Sequence, residues 1–411
     1  MPTPRLQPAL LLVPLLVPAC VREQDLGDPA ELLTASGSGD AESGSGDDAG
    51  SVSATSTTGA DACASNTGTR SLLSIHAGPD DDPQLSGFED VVFSPAGEVS
   101  ITFIQGNHTW AQIDTAGEIT FGTAPGTLEH VGVLSRDASD RHLVAMSSFY
   151  EGDEWLQLTG ADGSVTWSAA AFDGPMFNAL ANEALLLADG TSLAHAYWYS
   201  DGLGYSRLLH FDVDGAEISR ADAADTSMFS HLVEGAAGEV WGLRGNGAGV
   251  EVVRFAAGAY TTPTSAFLLA GRVPRALALD SNQRPVIASY ELDYEVPAGT
   301  ETQWLDVIDR DTGSTVFALD SATTPGFHHP WALATGACGE IFVIGGTIAG
   351  NPQSWVASVD ANGIIWADAL ELDGAAYGDV ADDGTLVVIG QTTVPDAAVL
   401  TIGPWMARYE P

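Results

Sequence analysis

The strongest constraint on this chain is a strand–turn–strand unit that returns six times between residues 110 and 366. It reads WAQIDTAGEITF (110–121), WLQLTGADGSVTW (155–167), LLHFDVDGAEIS (208–219), VVRFAAGAYTT (252–262), WLDVIDRDTGSTVF (304–317) and WVASVDANGIIW (355–366). Each copy alternates apolar and polar residues, breaks at a short turn ending in glycine, and resumes as a second strand. Alternation with period two buries one face of a strand. Asp or Asn ahead of Gly supplies the backbone angles of a tight hairpin. The turn glycines Gly117, Gly163, Gly215, Gly258, Gly313 and Gly363 are separated by 46, 52, 43, 55 and 50 residues. A second unit fills the gaps: VVFSPAGEVSITFI (91–104), LVEGAAGEVWGL (232–243), LALDSNQRPVIAS (277–289), LATGACGEIFVIGG (333–346) and DVADDGTLVVIGQ (379–391). The two units together make four antiparallel strands per repeat, at the period of a β-propeller blade. Helical periodicity is hard to find past Arg70, which argues against a sheet with crossover helices.

The fold expected is therefore all-β, a propeller of seven four-stranded blades over residues 70–411. Six complete units run from Phe88 to Asp373. A seventh starts at Ala375, provides two strands and a third in PWMARYEP, and stops. Its fourth strand is expected from RSLLSIHAG (70–78), so that the N-terminal strand closes the last blade and removes the exposed sheet edges. Variation in the length of units two to five leaves six or eight blades as alternatives.

Ahead of the repeats, residues 1–19 read as an export signal. Arg5 precedes a short apolar run, ALLLVPLLVPAC, too short to span a membrane as a helix. The stretch Leu16-Val17-Pro18-Ala19-Cys20 resembles the bacterial lipobox, although Pro18 stands where a small residue is usual. The resemblance implies lipidation of Cys20 and attachment to the cell envelope, at the outer membrane or cell surface, through a lipid anchor alone. Secretion with a free Cys20 is the alternative. Residues 20–69, rich in Gly, Ser, Ala, Asp and Thr, cannot build a core and read as a flexible tether. The two remaining cysteines, Cys63 and Cys338, are expected to form a disulfide in an oxidising compartment. Closure of the ring brings the N-terminal strand beside the turn that holds Cys338.

Charge excludes several functions. The chain has 55 acidic residues against 14 basic ones, all of them Arg, for a net charge of −41. Without lysine there is no P-loop lysine, Schiff-base lysine or Ser-Lys pair. The negative field repels phosphate backbones, so nucleic acid is not an expected partner. No CxxC pair exists for a thiolate zinc site. His328-His329 is a tempting metal pair, but adjacent loop residues point apart, and a loop cap beside Pro330 and Trp331 is the simpler reading.

The repeat resembles the quinoprotein-type (PQQ-like) propeller repeat. Asp309-Arg310-Asp311-Thr312-Gly313 followed by Phe317 is the best-matching copy. Gly163 to Trp167 and Gly117 to Phe121 keep its glycine-to-aromatic spacing, and Gly363 to Trp366 is one residue short. The resemblance covers most of residues 88–373 and implies that these aromatics dock between blades. The family's dehydrogenases carry an adjacent Cys-Cys pair over their quinone. This chain has none, so the resemblance implies a non-enzymatic lipoprotein without cofactor. The turns also loosely match the sialidase Asp box, but Ser358 to Gly363 is one residue too long.

A binding site is expected where the hairpin turns are not, in the loops between second and third strands. Tyr150, Trp155, Trp198, Tyr199, Tyr205, Tyr290, Tyr294 and Trp331 are expected to line one rim, interspersed with carboxylates such as Glu151 and Asp293. Aromatic faces beside carboxylates suit sugar rings, cations or a protein partner. The alternative is that the same aromatics plug the central channel or pad the blades. Two functions follow. The first is a monomeric, non-catalytic surface lipoprotein that binds protein or polysaccharide, with no catalytic, metal or cofactor residue. The alternative is a propeller-fold hydrolase or lyase acting on a cell-surface polymer, which requires two acidic groups in a cleft, one with a raised pKa.

Overall fold

A computed structural model describes residues 70–77, 86–105, 110–122, 126, 131–146, 156–169, 179–200, 203–223, 229–245, 248–291, 301–336, 338–346, 354–370, 374–381, 383–395 and 400–411. They form seven four-stranded antiparallel sheets arranged as a propeller, and no α-helix occurs among the described residues. Blades 1 to 6 occupy residues 86–122, 131–169, 179–223, 229–270, 272–320 and 330–370. Blade 7 is composite, as the strand count predicted. Ala375–Val380, Leu386–Pro395 and Leu400–Glu410 come from the end of the chain, and Ser71–Ala77 completes the sheet. Ser71 lies opposite Glu410 and Ala77 opposite Trp405.

Each junction between blades holds its own apolar cluster. Leu143, Leu156 and Trp167 of blade 2 meet Leu186, Ala194 and Phe211 of blade 3. Val387, Ile389 and Met406 of blade 7 meet Val91, Val99 and Ile101 of blade 1, which closes the ring. The core is thus distributed over seven seams around a central channel. Sheets covered on both faces need middle strands that are apolar throughout, and Leu386, Val387, Val388 and Ile389 are all buried.

Strand direction alternates within a blade, so the first-to-second and third-to-fourth turns share one end, here termed the tight-turn face. The second-to-third loops and the blade connections lie at the opposite loop face. Aspartates cap the tight turns, as the sequence suggested. Asp212 Oδ1 accepts the N–H groups of Asp214 at 3.0 Å and Ala216 at 2.8 Å, while Gly215 N–H reaches the Asp212 carbonyl at 3.1 Å. Gly215 has φ +83°, and a Cβ there would sit 2.6 Å from the Trp167 ring of the preceding blade. Gly313, at φ +70°, meets Phe267 in the same way. The outer-strand aromatic of one blade therefore docks on the turn glycine of the next. Trp366 also packs between blades, edge-on to Tyr409 at 5.5 Å.

Blade 4 departs from the expected unit. The stretch after Gly258 does not resume as a strand at once, because residues 256–264 form a wider turn and the outer strand is Ser265–Ala270. Tyr260 turns inward instead. Its hydroxyl donates to the Gly238 carbonyl at 2.8 Å, and its ring meets His210 edge-on at 4.8 Å. Burying a tyrosine with its hydroxyl satisfied outweighs continuing the ladder by a few residues.

Candidate functional site

All seven innermost strands carry a β-bulge at the same place, near the loop face. The extra residues are Glu89, Gly132, Asn182, Ser230, Arg275, Trp331 and Ala376 in blades 1 to 7. A bulge takes one residue out of the ladder and re-aims its neighbours.

The residues just after the bulge latch neighbouring blades. Asp90 accepts the N–H of Val91 at 2.8 Å and of Leu134, in blade 2, at 2.7 Å. At the equivalent position in blade 3, Glu183 accepts the N–H of Leu232 in blade 4. In blade 4, His231 Nε2 lies 2.7 Å from the Arg275 carbonyl of blade 5. A carbonyl can only accept, so Nε2 carries the proton and Nδ1 is left as the basic nitrogen, 3.9 Å from Glu183 Oε1. Depth in the molecule, reinforced by the negative charge of Asp90, pushes the Glu183 carboxyl well above the usual range. Burial likewise lowers the His231 imidazole to about 4. Their side chains still keep 21% and 36% of their surface accessible, so neither is enclosed in solid packing.

Blades 5 and 6 use their bulge residues differently. The Arg275 guanidinium lies 4.0 Å from the ring centroid of Trp331 and 4.5 Å from that of Tyr290. Its Nε is buried without a hydrogen-bond partner. Burial lowers its pKa, opposed by the electrostatic influence of Tyr290 and Glu301. Trp331 remains 40% exposed, which leaves one large aromatic surface open beside a cation at the loop-face mouth. Nearby, Trp355 Nε1 donates to the His328 carbonyl at 3.0 Å. Among the described residues no group of three His, Cys, Asp or Glu side chains is placed to hold a metal ion.

The tight-turn face carries two cavities of a different character. One, of about 560 Å³, is lined by residues including Glu98, Arg136, Asp137 and Asp383. The other, of about 420 Å³, lies beside Glu239 and Arg254. Their charged groups are engaged with one another. Arg136 reaches Glu98 at 2.7 Å, and Glu239 accepts Arg254 and Arg310 together.

Of the expected rim, Tyr290 and Trp331 come together on Arg275. Tyr205 lies in blade 3, where it is paired across the sheet with Trp198, and Tyr199 is paired with Gly204. Tyr150, Trp155 and Tyr294 lie outside the described residues, as do Cys20 and Cys63. Cys338 is disulfide-bonded, and its partner is outside the described residues. Asp90, Glu183, His231 and Arg275 did not emerge from the sequence. Asp90, Glu183 and His231 share the position after the bulge and Arg275 is itself a bulge residue, but blades 2, 5 and 6 carry Val133, Ala276 and Ala332 after the bulge, so no column in the sequence marks them.

No protein-family model matches the chain, and no curated relative matches it. Among solved structures, a catalytically inactive virginiamycin B lyase from Staphylococcus aureus is 12% identical with a TM-score of 0.52, covering 81% of this chain and 98% of its own. The WD40 β-propeller domain of Doa1 is 11% identical with a TM-score of 0.51, covering 82% and 97%. At these identities the likeness establishes the propeller fold, which hosts a lyase in one case and a WD40 domain in the other.

Proposed function

We propose that this protein is a non-catalytic, monomeric binding protein of the PQQ-like repeat type that takes a polysaccharide at the loop-face mouth. In this reading lipid on Cys20 and the tether 20–69 hold it at the bacterial cell envelope, and Cys63 is the disulfide partner of Cys338. One observation carries the binding role: the exposed Trp331 ring beside Arg275, an open aromatic platform of the kind that receives a sugar ring. Asp90 and Glu183 are committed to backbone amides between blades, which favours binding over catalysis.

The test is binding of the purified chain to envelope polysaccharides by affinity electrophoresis. Trp331→Ala is expected to weaken retardation by roughly tenfold, the cost of truncating a contact worth over 1 kcal/mol. Unchanged retardation removes the reading. Intact mass under non-reducing conditions checks the disulfide, and two free thiols reject it.

The raised carboxyl of Glu183 beside His231 supports a second reading, a propeller-fold hydrolase or lyase acting on the same polymer. Release of new sugar ends by the wild type, abolished in Glu183→Gln, would establish it instead.

A further inference from the structure

We propose that Arg275 is the carboxylate-recognition group of the loop-face mouth, and that the ligand is an acidic polysaccharide whose uronic-acid residue stacks on Trp331. The inference rests on the polysaccharide reading above and names the substrate class within it.

In a chain with 55 acidic residues and 14 arginines, an unengaged guanidinium is the exception. Of the twelve arginines from Arg70 to Arg408, ten reach a carboxylate, and Arg408 donates to the Thr115 carbonyl. Arg275 alone has neither a hydrogen bond nor an ion pair from its guanidinium among the described residues. Glu301 acts on it electrostatically. Two aromatic rings take the place of a counterion. Stacking occupies the faces of the guanidinium and leaves its in-plane N–H donors as the fork that matches a carboxylate.

The surroundings fit one negative charge on a flat ring. Of the neighbouring channel groups, His231 is a neutral imidazole and Glu183 holds its proton to higher pH than an ordinary glutamate, which leaves Glu301 as the carboxylate that acts on Arg275. A phosphate would need several cations, and this mouth offers one. The open Trp331 face beside the fork places a sugar ring and its carboxylate side by side, a match that an acidic peptide makes only at the carboxylate. Short oligomers are the natural probe, because a net charge of −41 repels a long polyanion.

Calorimetric titration of the full chain tests this with trisaccharides of galacturonic, glucuronic and mannuronic acid, each beside its uncharged counterpart, and with triglutamate. At least one uronate should bind tenfold or more tightly than its neutral partner. Arg275→Met should erase that difference by weakening the uronate far more than its neutral partner, a selective loss that misfolding would not produce. Arg275→Lys should recover only part of it, since an ammonium lacks the planar fork. Equal affinity for charged and neutral sugars, or an equal loss of both in Arg275→Met, overturns the carboxylate assignment and leaves the polysaccharide reading standing. Absence of binding to every sugar overturns both. Triglutamate binding more tightly than any uronate assigns Arg275 to a peptide and overturns the inference.

Discussion

At the residue scale, the buried histidines of blade 3 couple stability to pH. His195 is 1% exposed, neither ring nitrogen has a hydrogen-bond partner, and its ring meets Phe229 edge-on at 5.3 Å. Burial lowers its pKa to about 3, against an ordinary value of 6.5. The folded state therefore favours the neutral form. The stability it confers is complete above about pH 6.5 and drains away as pH falls toward 3, by about 1.4 kcal/mol per unit. His231 acts with the same sign, whereas Glu183, raised in the folded state, acts oppositely. His195→Leu is expected to remove about 3 kcal/mol of the loss between pH 6.5 and 4.5. Urea melts at the two pH values measure it, and an unchanged difference would rule out His195 as the source. This histidine was not legible as a buried group, because His in an alternating strand points either inward or outward, and only the packing of blade 3 against blade 4 decides which.

At the element scale, ring closure depends on one short strand and its clamp. Arg70, immediately before Ser71–Ala77, pairs with Glu340 at 3.3 Å, and its guanidinium lies 4.9 Å from the Phe342 ring centroid. Glu340 shares its turn with Cys338 and accepts the Cys338 N–H at 3.2 Å. The Arg70 side chain is 1% exposed and that of Glu340 11%, so removing one partner strands a buried charge. Arg70→Ala is expected to cost about 3–5 kcal/mol. Its signature would be faster amide exchange in Ser71–Ala77 and Leu400–Glu410 ahead of the other blades. Uniform exchange across all blades would contradict a local clamp. The closing strand was readable from counting strands. The bulge in every inner strand was not, because no turn residue marks it, and it arises from fitting seven first strands around one channel.

At the scale of the whole molecule, residue 70 and residue 411 both lie at the tight-turn face, because Ser71–Ala77 runs antiparallel to Leu400–Glu410. The mouth formed by Arg275, Tyr290 and Trp331 lies at the other end. The proposed tether over residues 20–69 would therefore attach at the end opposite that mouth. Residues 70–411 hold 46 acidic residues against 12 arginines, and this negative excess repels itself across the propeller and destabilises it at low ionic strength. Raising salt from about 10 to about 100 mM shortens the Debye length from roughly 30 to roughly 10 Å. The melting temperature is expected to rise by several degrees over that range, and a flat or falling value would show that the ion pairs outweigh the general repulsion.

The sequence by itself determined the all-β class and pointed to seven blades with a composite last one, while six or eight stayed open until the closed ring showed seven. Those features rest on local physics: period-two alternation, aspartate-capped glycine turns, and the need to pair every edge. It also singled out Tyr290 and Trp331 among the rim candidates, beside the alternative that such aromatics plug the channel or pad the blades; both lie at the loop-face ends of strands. Only the tertiary structure decided that these two meet on Arg275, that among the described residues Arg275 alone has no hydrogen bond or ion pair from its guanidinium, and that Asp90 and Glu183 latch blades. Such pairings join residues from different blades. They depend on where the bulges aim side chains across the channel, a geometry that exists only after the ring has closed.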